Sequence, residues 1–490
     1  MIRARRHVAH GLIFTLAAGV TTASCVVGPK YVRPAEPVPA AYKEVSTDSS
    51  GVNWRPAQPR DNAVRERWWE VFNDSQLNAL EEMLAIGNQN IAAAAANVQV
   101  ARATLREAHS QYYPAVTASP TIMNSRVSTG FGQSIGNTFT TYALPVEASW
   151  EPDVWGRVRQ AVSSTAFAAQ AAVADLQSVR LAAHAELATE YCELRAQDAL
   201  IAVLDSTVTA YQEALAITRD RFLAGLENDE AVAQAEAQLE IAQAQAASLH
   251  VLRAQYEHAI AVLVGEAPST FAIAETTSAI DRPSVPVGLP SELLERRPDI
   301  ASAERAVAQA NAQIGVAQSA FFPLLSLTGT AGVESLSVSS WFTWPSRVWS
   351  VGPSAVQSIF DAGLRRATVQ QFRASYDQAV ANYRQTVLTS FQQVEDNLAA
   401  IRFLAQAITR QNAAIQSAQR SLDAAETRYT SGLDPYLNVI VAQTVLLNSR
   451  QAAVNYRSQE LVASVQLIKA LGGGWDVSRL PTPGSLAAGH

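Results

Sequence analysis

Charge and cysteine are both scarce in this sequence. Of its 490 residues, 17% are charged, 7% are aromatic and only two are cysteines, Cys25 and Cys192. A charged fraction this low is unusual for a soluble enzyme of this size. The formal net charge of −7 becomes −10 when the three arginines of residues 1–24 are removed, and this acidic balance argues against nucleic acid as a partner.

Motifs of catalysis and of metal binding are also lacking. Five histidines follow residue 24, and none has metal-ligand spacing such as His-Glu-x-x-His. They are His109, His184, His250, His258 and His490. The sequence has neither a glycine-rich phosphate loop nor a nucleophile elbow. These absences predict a protein that is not an enzyme and that binds no cofactor.

Long apolar runs are absent beyond the N-terminus. No segment after residue 24 has the 18 or more consecutive apolar residues that a membrane-spanning helix needs. Strands are the other structure that crosses a bilayer, because backbone polar groups in lipid must all be hydrogen-bonded within the protein. A membrane-spanning part of this chain is therefore predicted to consist of strands.

The N-terminus has the features of an export signal. Three arginines precede the apolar run of residues 11–20, and small residues follow it up to Cys25. Thr22-Ala-Ser-Cys25 resembles a lipoprotein cleavage box, with Thr22 in place of the usual large aliphatic residue. We predict a signal peptide at residues 1–24 and a covalent lipid on Cys25, with a free or paired thiol as the alternative. Cys192, inside an amphipathic stretch, is predicted to be a small buried side chain.

A unit of roughly two hundred residues occurs twice, and such repeats predict a pseudo-symmetric structure. Residues 90–114 align without a gap on residues 299–323, and further along Arg221-Phe-Leu-Ala-Gly-Leu226 aligns with Arg428-Tyr-Thr-Ser-Gly-Leu433. Each unit is predicted to contain a helix, two membrane strands and a long helical hairpin. The predicted segments are an extended N-terminal part at 25–75, a first repeat at 76–285, a second repeat at 286–475 and a C-terminal tail at 476–490.

Four segments of about 10 residues, the length of a tilted membrane strand, alternate apolar and polar side chains. They include Val116 to Ile122, Tyr142 to Trp150, Leu325 to Thr330, and residues 347–360. A soluble antiparallel sheet with one wet face would give the same alternation. Aromatic residues at the segment ends favour a bilayer, since Trp and Tyr collect at its interfaces.

The remaining segments are predicted to be helices with a seven-residue apolar repeat. The second copy has Val380, Val387, Val394, Ile401, Ile408, Ile415, Leu422 and Tyr429; the first has Val173, Leu187, Leu194, Ile201, Val208, Leu215 and Phe222, with Arg180 as the exception. A repeat this long indicates packed helices with a left-handed supercoil. A cytoplasmic coiled coil would show the same heptads without the strands or the export signal.

Each helical run is interrupted once. In the second copy Gly432 favours the left-handed conformation that ends a helix, and Asp434 and Pro435 are predicted as the N-cap and first residue of the next helix. In the first copy Gly225 has the same role, and residues 227–230 begin the return helix. Each copy is therefore predicted to contain a tight helical hairpin.

The number of strands predicts an oligomer. Four strands cannot close a barrel, and an open sheet edge is not tolerated in lipid. Two chains would give eight strands and a filled interior, whereas three would give twelve and a hollow lumen. Long hairpins below the barrel favour the larger ring because they also need partners on both sides. We infer a homotrimer that acts as a conduit.

At this point the residues resemble a known family. The motifs are Cys25-Val-Val-Gly-Pro-Lys-Tyr-Val-Arg-Pro34, Asp153-Val-Trp-Gly-Arg157, Leu294-Glu-Arg-Arg-Pro-Asp-Ile300, Phe360-Asp-Ala-Gly363 and the two Arg-aromatic-x-x-Gly tips. Together they resemble the TolC-like outer-membrane factors, in particular the NodT-type efflux lipoproteins, over nearly the whole mature chain. The resemblance implies a trimeric barrel in the outer membrane, a helical tunnel through the periplasm, a periplasmic membrane-fusion adaptor and an inner-membrane transporter of the resistance-nodulation-division type.

The resemblance also implies roles for residues at the helical tips, which in this family close the tunnel and meet the adaptor. The corresponding adaptor contacts are Arg221, Leu226, Arg428 and Leu433, and the entrance constriction is Leu437, Asn438 and Val441. Some relatives have aspartates at the positions of Asn438 and Val441, so the constriction of this chain is predicted to be more apolar. The alternative is that Leu437 and Val441 are ordinary helix-packing residues.

These observations predict a mixed α and β fold with an internal duplication. A transmembrane β-barrel, with four strands per protomer and twelve per trimer, continues into a long periplasmic α-helical barrel. The predicted function is the exit duct of a tripartite efflux pump, lipid-anchored in the outer membrane and extending into the periplasm. The alternatives are a structural coiled-coil outer-membrane lipoprotein, the export duct of a type I secretion system and, more distantly, a periplasmic hydrolase.

Overall fold

The computed structural model describes residues 26–35, 38–44, 67–126, 138–278, 280–283, 285 and 292–487. The predicted signal peptide and Cys25 lie outside these residues, so lipidation stays a prediction. Cys192 is a free and buried thiol, as predicted. Burial raises the pKa of this thiol to about 12, which keeps it protonated and unreactive.

Helices make up most of the described chain and fall into two similar sets. The first set is α1 (Ser75–Gly87), α2 (Gln89–Ser110), α3 (Arg157–Leu223) and α4 (Asp229–Val264); the second is α5 (Leu293–Arg296), α6 (Pro298–Ser319), α7 (Leu364–Thr430) and α8 (Leu437–Ala470), followed by α9 (Pro483–Ala487). Short 3₁₀ helices lie at Trp68–Phe72, Val338–Ser340, Trp344–Ser346 and Val477–Arg479. Helices α3 and α7 have 67 residues each and are therefore about 100 Å long.

Five strands form one antiparallel sheet. They are β1 (Ala115–Ala118), β2 (Thr121–Arg126), β3 (Thr138–Trp150), β4 (Leu324–Ser335) and β5 (Arg347–Val356). Strands β1 and β2 both pair with β3, β3 pairs with β4, and β4 pairs with β5. The four predicted strands are present, but the first is interrupted at Ser119 and Pro120, because proline has no N–H to donate to a neighbouring strand. The fourth ends at Val356, earlier than the predicted residue 360.

The strand register gives this sheet one apolar and one polar face, because side chains directly opposite each other share a face. The apolar face includes Val116, Leu144, Val146, Ala148, Trp150, Leu325, Leu327, Trp349 and Val351; the polar face includes Glu147, Ser149, Ser326, Thr328, Thr330, Ser350 and Ser354. The apolar side chains are not covered within the protomer: Trp349 is 77% exposed and Val351 is 67% exposed.

The predicted heptad seams are buried along most of their length. Val387, Val394, Ile401 and Leu422 in α7 are buried, as are Leu187, Leu194, Ile201 and Leu215 in α3. Phe222 is an exception, because it is 41% exposed at the last turn of α3, where the prediction of a buried seam residue was wrong. The equivalent Tyr429 is buried, so the ends of the two hairpins are packed differently.

The two long hairpins lie side by side. Helix α4 packs on α3, α3 packs on α8, and α8 packs on α7, so the hairpin helices follow the order α4, α3, α8, α7. Closer to the sheet, α3 also packs on α2 and α6, and α6 packs on α7. In the described chain, α3 is long and apolar enough to cross a membrane, a criterion that the core helices of soluble proteins also meet.

A buried cluster of charges attaches the segment after α4 to the helices. The Asp198 carboxylate on α3 accepts hydrogen bonds from Arg195 on the same helix, at 2.7 Å, and from Arg253 on α4, also at 2.7 Å. Arg195 also donates to the carbonyl oxygen of Ala274, and Arg253 to that of Ile273. Because these charges are buried and paired with one another, removal of one member would leave an unpaired charge in the core.

Candidate functional site

The two hairpin tips have the same backbone geometry. Gly225 and Gly432 have φ angles of 71° and 74°, in the left-handed region that was predicted for them. At each tip the leucine N–H donates to the carbonyl oxygen of the arginine that begins the motif, Leu226 to Arg221 and Leu433 to Arg428, at 2.8 Å in both cases. This hydrogen-bonding pattern is the Schellman motif, which ends a helix and reverses the chain.

The return helices begin differently. Asn228 caps α4, because its side chain accepts a hydrogen bond from the Ala231 N–H. Asp434 does not cap α8, contrary to the prediction: this helix begins at Leu437, and its N-cap residue makes no side-chain hydrogen bond. The Asp434 carboxylate instead accepts two hydrogen bonds from the Arg428 guanidinium, at 2.6 and 3.1 Å. That pairing lowers the pKa of Asp434.

Arg221 joins the two tips within one protomer. Its guanidinium lies over the Tyr429 ring, 4.9 Å from the centroid, and donates to the Thr430 carbonyl oxygen at 3.1 Å. The Tyr429 hydroxyl in turn donates to Thr218 on α3. The pseudo-equivalent Arg428 has a 59% exposed side chain, whereas that of Arg221 is 19% exposed. Of the two tip arginines, Arg428 is therefore the more accessible to another protein.

The predicted constriction residues lie on an uncovered face of α8. Leu437 is 53% exposed and Val441 is 55% exposed, and Asn438 is also exposed. The opposite face, with Val439 and others, packs in the core between the hairpins. Leu437 and Val441 therefore lie outside that core and are about half exposed in the protomer.

One residue of this face was missed at the level of sequence. Val445 is 50% exposed, although it is as apolar as its neighbours. It follows Leu437 and Val441 at the same spacing of four residues, which places all three on one side of the helix. The four-residue spacing in the sequence could have predicted that the apolar face extends to Val445. The tip leucines Leu226 and Leu433 are exposed as well, at 67% and 70%.

At the other end of the hairpins, the first described residues lie where the sheet meets the helices. The Val27 N–H donates to the Trp155 carbonyl oxygen at 3.0 Å, and Val26 packs directly on Gly156. Trp155 follows strand β3 by a few residues and precedes the start of α3. Further along, the Tyr31 hydroxyl donates to Glu304 on α6. The N-terminal segment thus begins beside the sheet and follows the second repeat.

In the parts of the chain that the structure describes, no group of three or more His, Cys, Asp or Glu side chains is arranged to hold a metal ion. The described residues present three kinds of surface: an apolar sheet face, two sheet edges without a second partner, and two exposed tips. A small sheet with one uncovered apolar face, joined to helices about 100 Å long, is typical of membrane channels with a projecting helical part.

Comparison with known proteins gives the family. The profile of the outer membrane efflux protein family matches residues 80–266 and 289–473. The probable efflux pump outer membrane protein TtgC of Pseudomonas putida is 32% identical over 455 residues, which are 92% of this chain and 93% of TtgC. The cation efflux system protein CusC of Escherichia coli is 30% identical over 468 residues, 95% of this chain and 98% of CusC. The chain belongs to the outer membrane efflux protein family.

A solved structure has the same fold. The outer-membrane channel OprN matches with a TM-score of 0.85 at 28% sequence identity, over 92% of this chain and 100% of OprN. The family and the outer-membrane location that the sequence predicted are thereby confirmed. The mostly helical fold with a small sheet is that of outer-membrane efflux channels.

Proposed function

We propose that the chain is one protomer of a trimeric exit duct in a tripartite efflux pump. The observation that carries this proposal is one sheet, apolar on one face and polar on the other, attached to two hairpins whose long helices measure about 100 Å. Three such sheets form a twelve-stranded barrel in the outer membrane. The hairpins form a helical barrel through the periplasm, and substrates pass through both passively.

The sheet edges support closure by other copies. In the described residues, β1 and β2 form one edge of the sheet and β5 forms the other, and neither edge has a second partner. Unpaired backbone groups cost several kcal/mol each in lipid, so both edges must pair. A ring of three sheets satisfies them, with the apolar face toward lipid and the polar face, including Glu147, toward the lumen.

The start of the described chain supports a lipid on Cys25. Val26 lies beside Gly156, at the junction of the sheet and the helices. A lipid on the preceding residue enters the periplasmic leaflet of the membrane that the sheet spans. Mass spectrometry of the mature N-terminus tests this: we expect a lipid-modified Cys25 as the first residue, and an unmodified chain contradicts it.

The partners follow from the tips. The similar proteins TtgC and CusC are named as components of efflux systems. For this chain we propose a periplasmic membrane-fusion adaptor and an inner-membrane transporter of the resistance-nodulation-division type. Leu226, Leu433 and Arg428 are exposed and contact the adaptor. Arg221, which the resemblance also implies as an adaptor contact, is mostly covered, and we assign it the role of orienting the first tip against the second.

We place the entrance constriction at the exposed face of α8, at Leu437, Asn438 and Val441. The support is the exposure of all three side chains at the first turns of the helix, nearest the tip. The more apolar constriction predicted from the sequence agrees with two exposed aliphatic side chains on this face.

The full-length protein, extracted from membranes, tests the proposed duct. We expect a trimer that migrates as one species unless heated, and discrete conductance steps in planar bilayers. Deletion of the gene should raise drug sensitivity, and the intact gene should restore resistance. A carbonate-soluble monomer without conductance contradicts the proposal and favours a structural coiled-coil lipoprotein.

A further inference from the structure

The charged residues of the sheet are separated by sign between its two faces. Strands β1 to β5, which the structure describes in full, contain four charged residues, namely Arg126, Glu147, Glu334 and Arg347. By the strand register, both arginines lie on the apolar face, whereas both glutamates lie on the polar face. Within these strands, the face that is proposed to contact lipid therefore carries two cations and no carboxylate.

Both arginines lie at the end of the sheet furthest from the helices, which we call the outer rim. Arg126 is the last residue of β2 and Arg347 is the first residue of β5, whereas α3 begins beyond the opposite end of β3. Arg126 is ten positions from Val116, at the other end of the apolar face. In a strand tilted by about 40° these positions differ by roughly 25 Å along the membrane normal, which is the height of an apolar band. The arginines are therefore at the depth of the lipid head groups.

The connections at the outer rim bring no carboxylate to the arginines. Residues 127–137 and 336–346 contain no charged residue in the sequence. The Arg347 guanidinium lies over the ring of Trp344, 3.8 Å from its centroid, and this tryptophan is 74% exposed. Stacking on a ring leaves the edge of the guanidinium, where its N–H groups point, open to a ligand. Exposed tryptophans at this depth are typical of a membrane interface.

The proposed barrel makes the two arginines neighbours at each boundary between protomers. Strand β5 forms one edge of the sheet and β1 and β2 form the other, so β5 of one protomer pairs with β1 and β2 of the next. Strand β2 runs toward the outer rim and β5 runs away from it, so this pair is antiparallel like the others. Neighbouring strands lie about 4.8 Å apart.

The slant of the strand ends gives the register at this boundary. Arg126 lies opposite Thr138, and Arg347 is level with Leu144, so the strand ends move by six residues over the three steps from β2 to β5. Tilted strands need such a slant to form a barrel with a level rim. One further step of about two residues places Arg126 of the neighbouring protomer diagonal to Arg347, on the same face and about 8 Å away.

We propose that Arg126 of one protomer and Arg347 of the next together bind a phosphate group of the outer-leaflet lipid, at three equivalent sites in the trimer. The inference rests on the proposed trimeric duct and adds a ligand at its outer rim. The lipid of this leaflet in an outer membrane is lipopolysaccharide, whose lipid A part carries phosphate groups beside its acyl chains. Guanidinium groups bind phosphate through paired hydrogen bonds, and the acyl chains cover the apolar face next to the boundary.

Binding of lipid A to the purified full-length trimer provides the first test. Native mass spectrometry should show up to three lipid A molecules on the parent trimer, and far fewer molecules of lipid A without phosphates. Arg126→Gln and Arg347→Gln should each weaken binding roughly tenfold, because each removes charge-assisted hydrogen bonds. Glu334→Gln, at the same rim on the polar face, and Arg410→Gln, at an exposed position of α7, are controls and should bind like the parent.

Cross-linking tests whether the two positions meet across the protomer boundary. The double variant Arg126→Cys/Arg347→Cys, treated with a bismaleimide that spans about 8 Å, should give covalently linked trimers. Each single cysteine variant should give only monomers on a denaturing gel, because copies of one residue lie a third of the ring apart. The parent chain controls for Cys25 and for the buried Cys192.

Several results would overturn the lipid site and leave the duct intact. These are equal binding of lipid A with and without phosphates, and parent-like binding by an intact trimer of Arg126→Gln/Arg347→Gln. Complete displacement of lipid A by inorganic phosphate would assign the arginines to free phosphate instead. An intact trimer of the double cysteine variant that does not cross-link would separate the two positions. Failure of the parent chain to form a trimer or a pore would reject the proposed function itself.

Discussion

At the scale of single residues, the pair formed by Glu81 and His184 is the clearest case of burial outweighing charge. His184 Nδ1 lies 2.6 Å from Glu81 Oε2, and the Trp69 ring stacks on the imidazole at 4.5 Å between centroids. Glu81 is fully buried. Burial raises the pKa of Glu81 and lowers the pKa of His184 to about 4, because it disfavours the charged form of each. Both shifts favour the neutral form of each side chain in this buried pair.

The low pKa of His184 predicts that this side chain contributes less stability in mild acid. The His184 pKa is about 4 in the folded chain and 6.5 in the unfolded chain, so between these values the imidazole is protonated only in the unfolded state. The contribution of His184 is present above pH 6.5 and decreases as the pH falls toward 4, by roughly 2 kcal/mol per protomer between pH 7.5 and pH 5. The raised pKa of Glu81 acts in the opposite direction, so His184→Asn, which keeps Glu81, is the reference. Chemical denaturation at both pH values should show that the parent loses about 2 kcal/mol relative to His184→Asn. Equal changes in the two proteins would contradict the prediction.

Local chemistry predicted some tip residues and not others. Gly225 and Gly432 were predictable, because a left-handed residue at the end of a helix depends mainly on its own lack of a side chain. The partner of Asp434 was not predictable from the sequence. Its carboxylate could cap the next helix, but it instead forms a bidentate ion pair with Arg428, which is possible only once the chain has reversed. The partner of Arg297 was likewise not predictable from local sequence. Arg297 is 7% exposed and donates a hydrogen bond to the Ala470 carbonyl oxygen, which is far away in sequence.

At the scale of elements, periodic burial explains why the helices were predictable. A heptad repeat marks the buried face of a helix at regular intervals along its length, and Val387 and Val394 of this repeat are fully buried. The strand positions were also predictable from alternation. The interruption at Pro120 was less predictable, because a proline is tolerated in an edge strand. Only the pairing with β3 shows where the hydrogen-bonded ladder stops. The order α4, α3, α8, α7 was not predictable, because it depends on contacts between residues distant in sequence, which produce no local sequence pattern.

The heptad seam gives a prediction at this scale. Ile401 is 2% exposed in the core of α7, and Ile401→Asp would place an unpaired charge among packed helices at a cost of several kcal/mol. The trimer should dissociate at a lower temperature than the parent, as measured by its heat-dependent migration. Gln406→Asp, at an exposed position of the same helix, is the control and should dissociate like the parent. Unchanged dissociation of Ile401→Asp would show that this seam is not buried in the assembly.

At the scale of the whole molecule, the two ends of the hairpins have opposite requirements. In the proposed barrel, apolar side chains such as Trp349 face outward, and polar ones such as Thr330, on the opposite face of the sheet, face the lumen. At the tips, the constriction proposed at Leu437 and Val441 faces inward, and the exposed Leu226 and Leu433 are proposed to face a protein partner. Under these proposals one chain separates its uncovered apolar surface into a part for lipid, a part for its own copies and a part for another protein.

Neighbouring residues of β5 test the orientation of the sheet. Val351 lies on the apolar face near the middle of the strand, and Ser350 lies on the polar face. Val351→Arg should place a charge in lipid and cost about 2 to 4 kcal/mol if the site is near the bilayer midplane. The amount of heat-modifiable trimer in the outer membrane should therefore fall. Ser350→Arg adds the same side chain to the lumen, so assembly should be normal while single-channel measurements show lower permeability to cations relative to anions. If Val351→Arg assembles normally and Ser350→Arg does not, the faces are reversed and the proposed barrel is wrong.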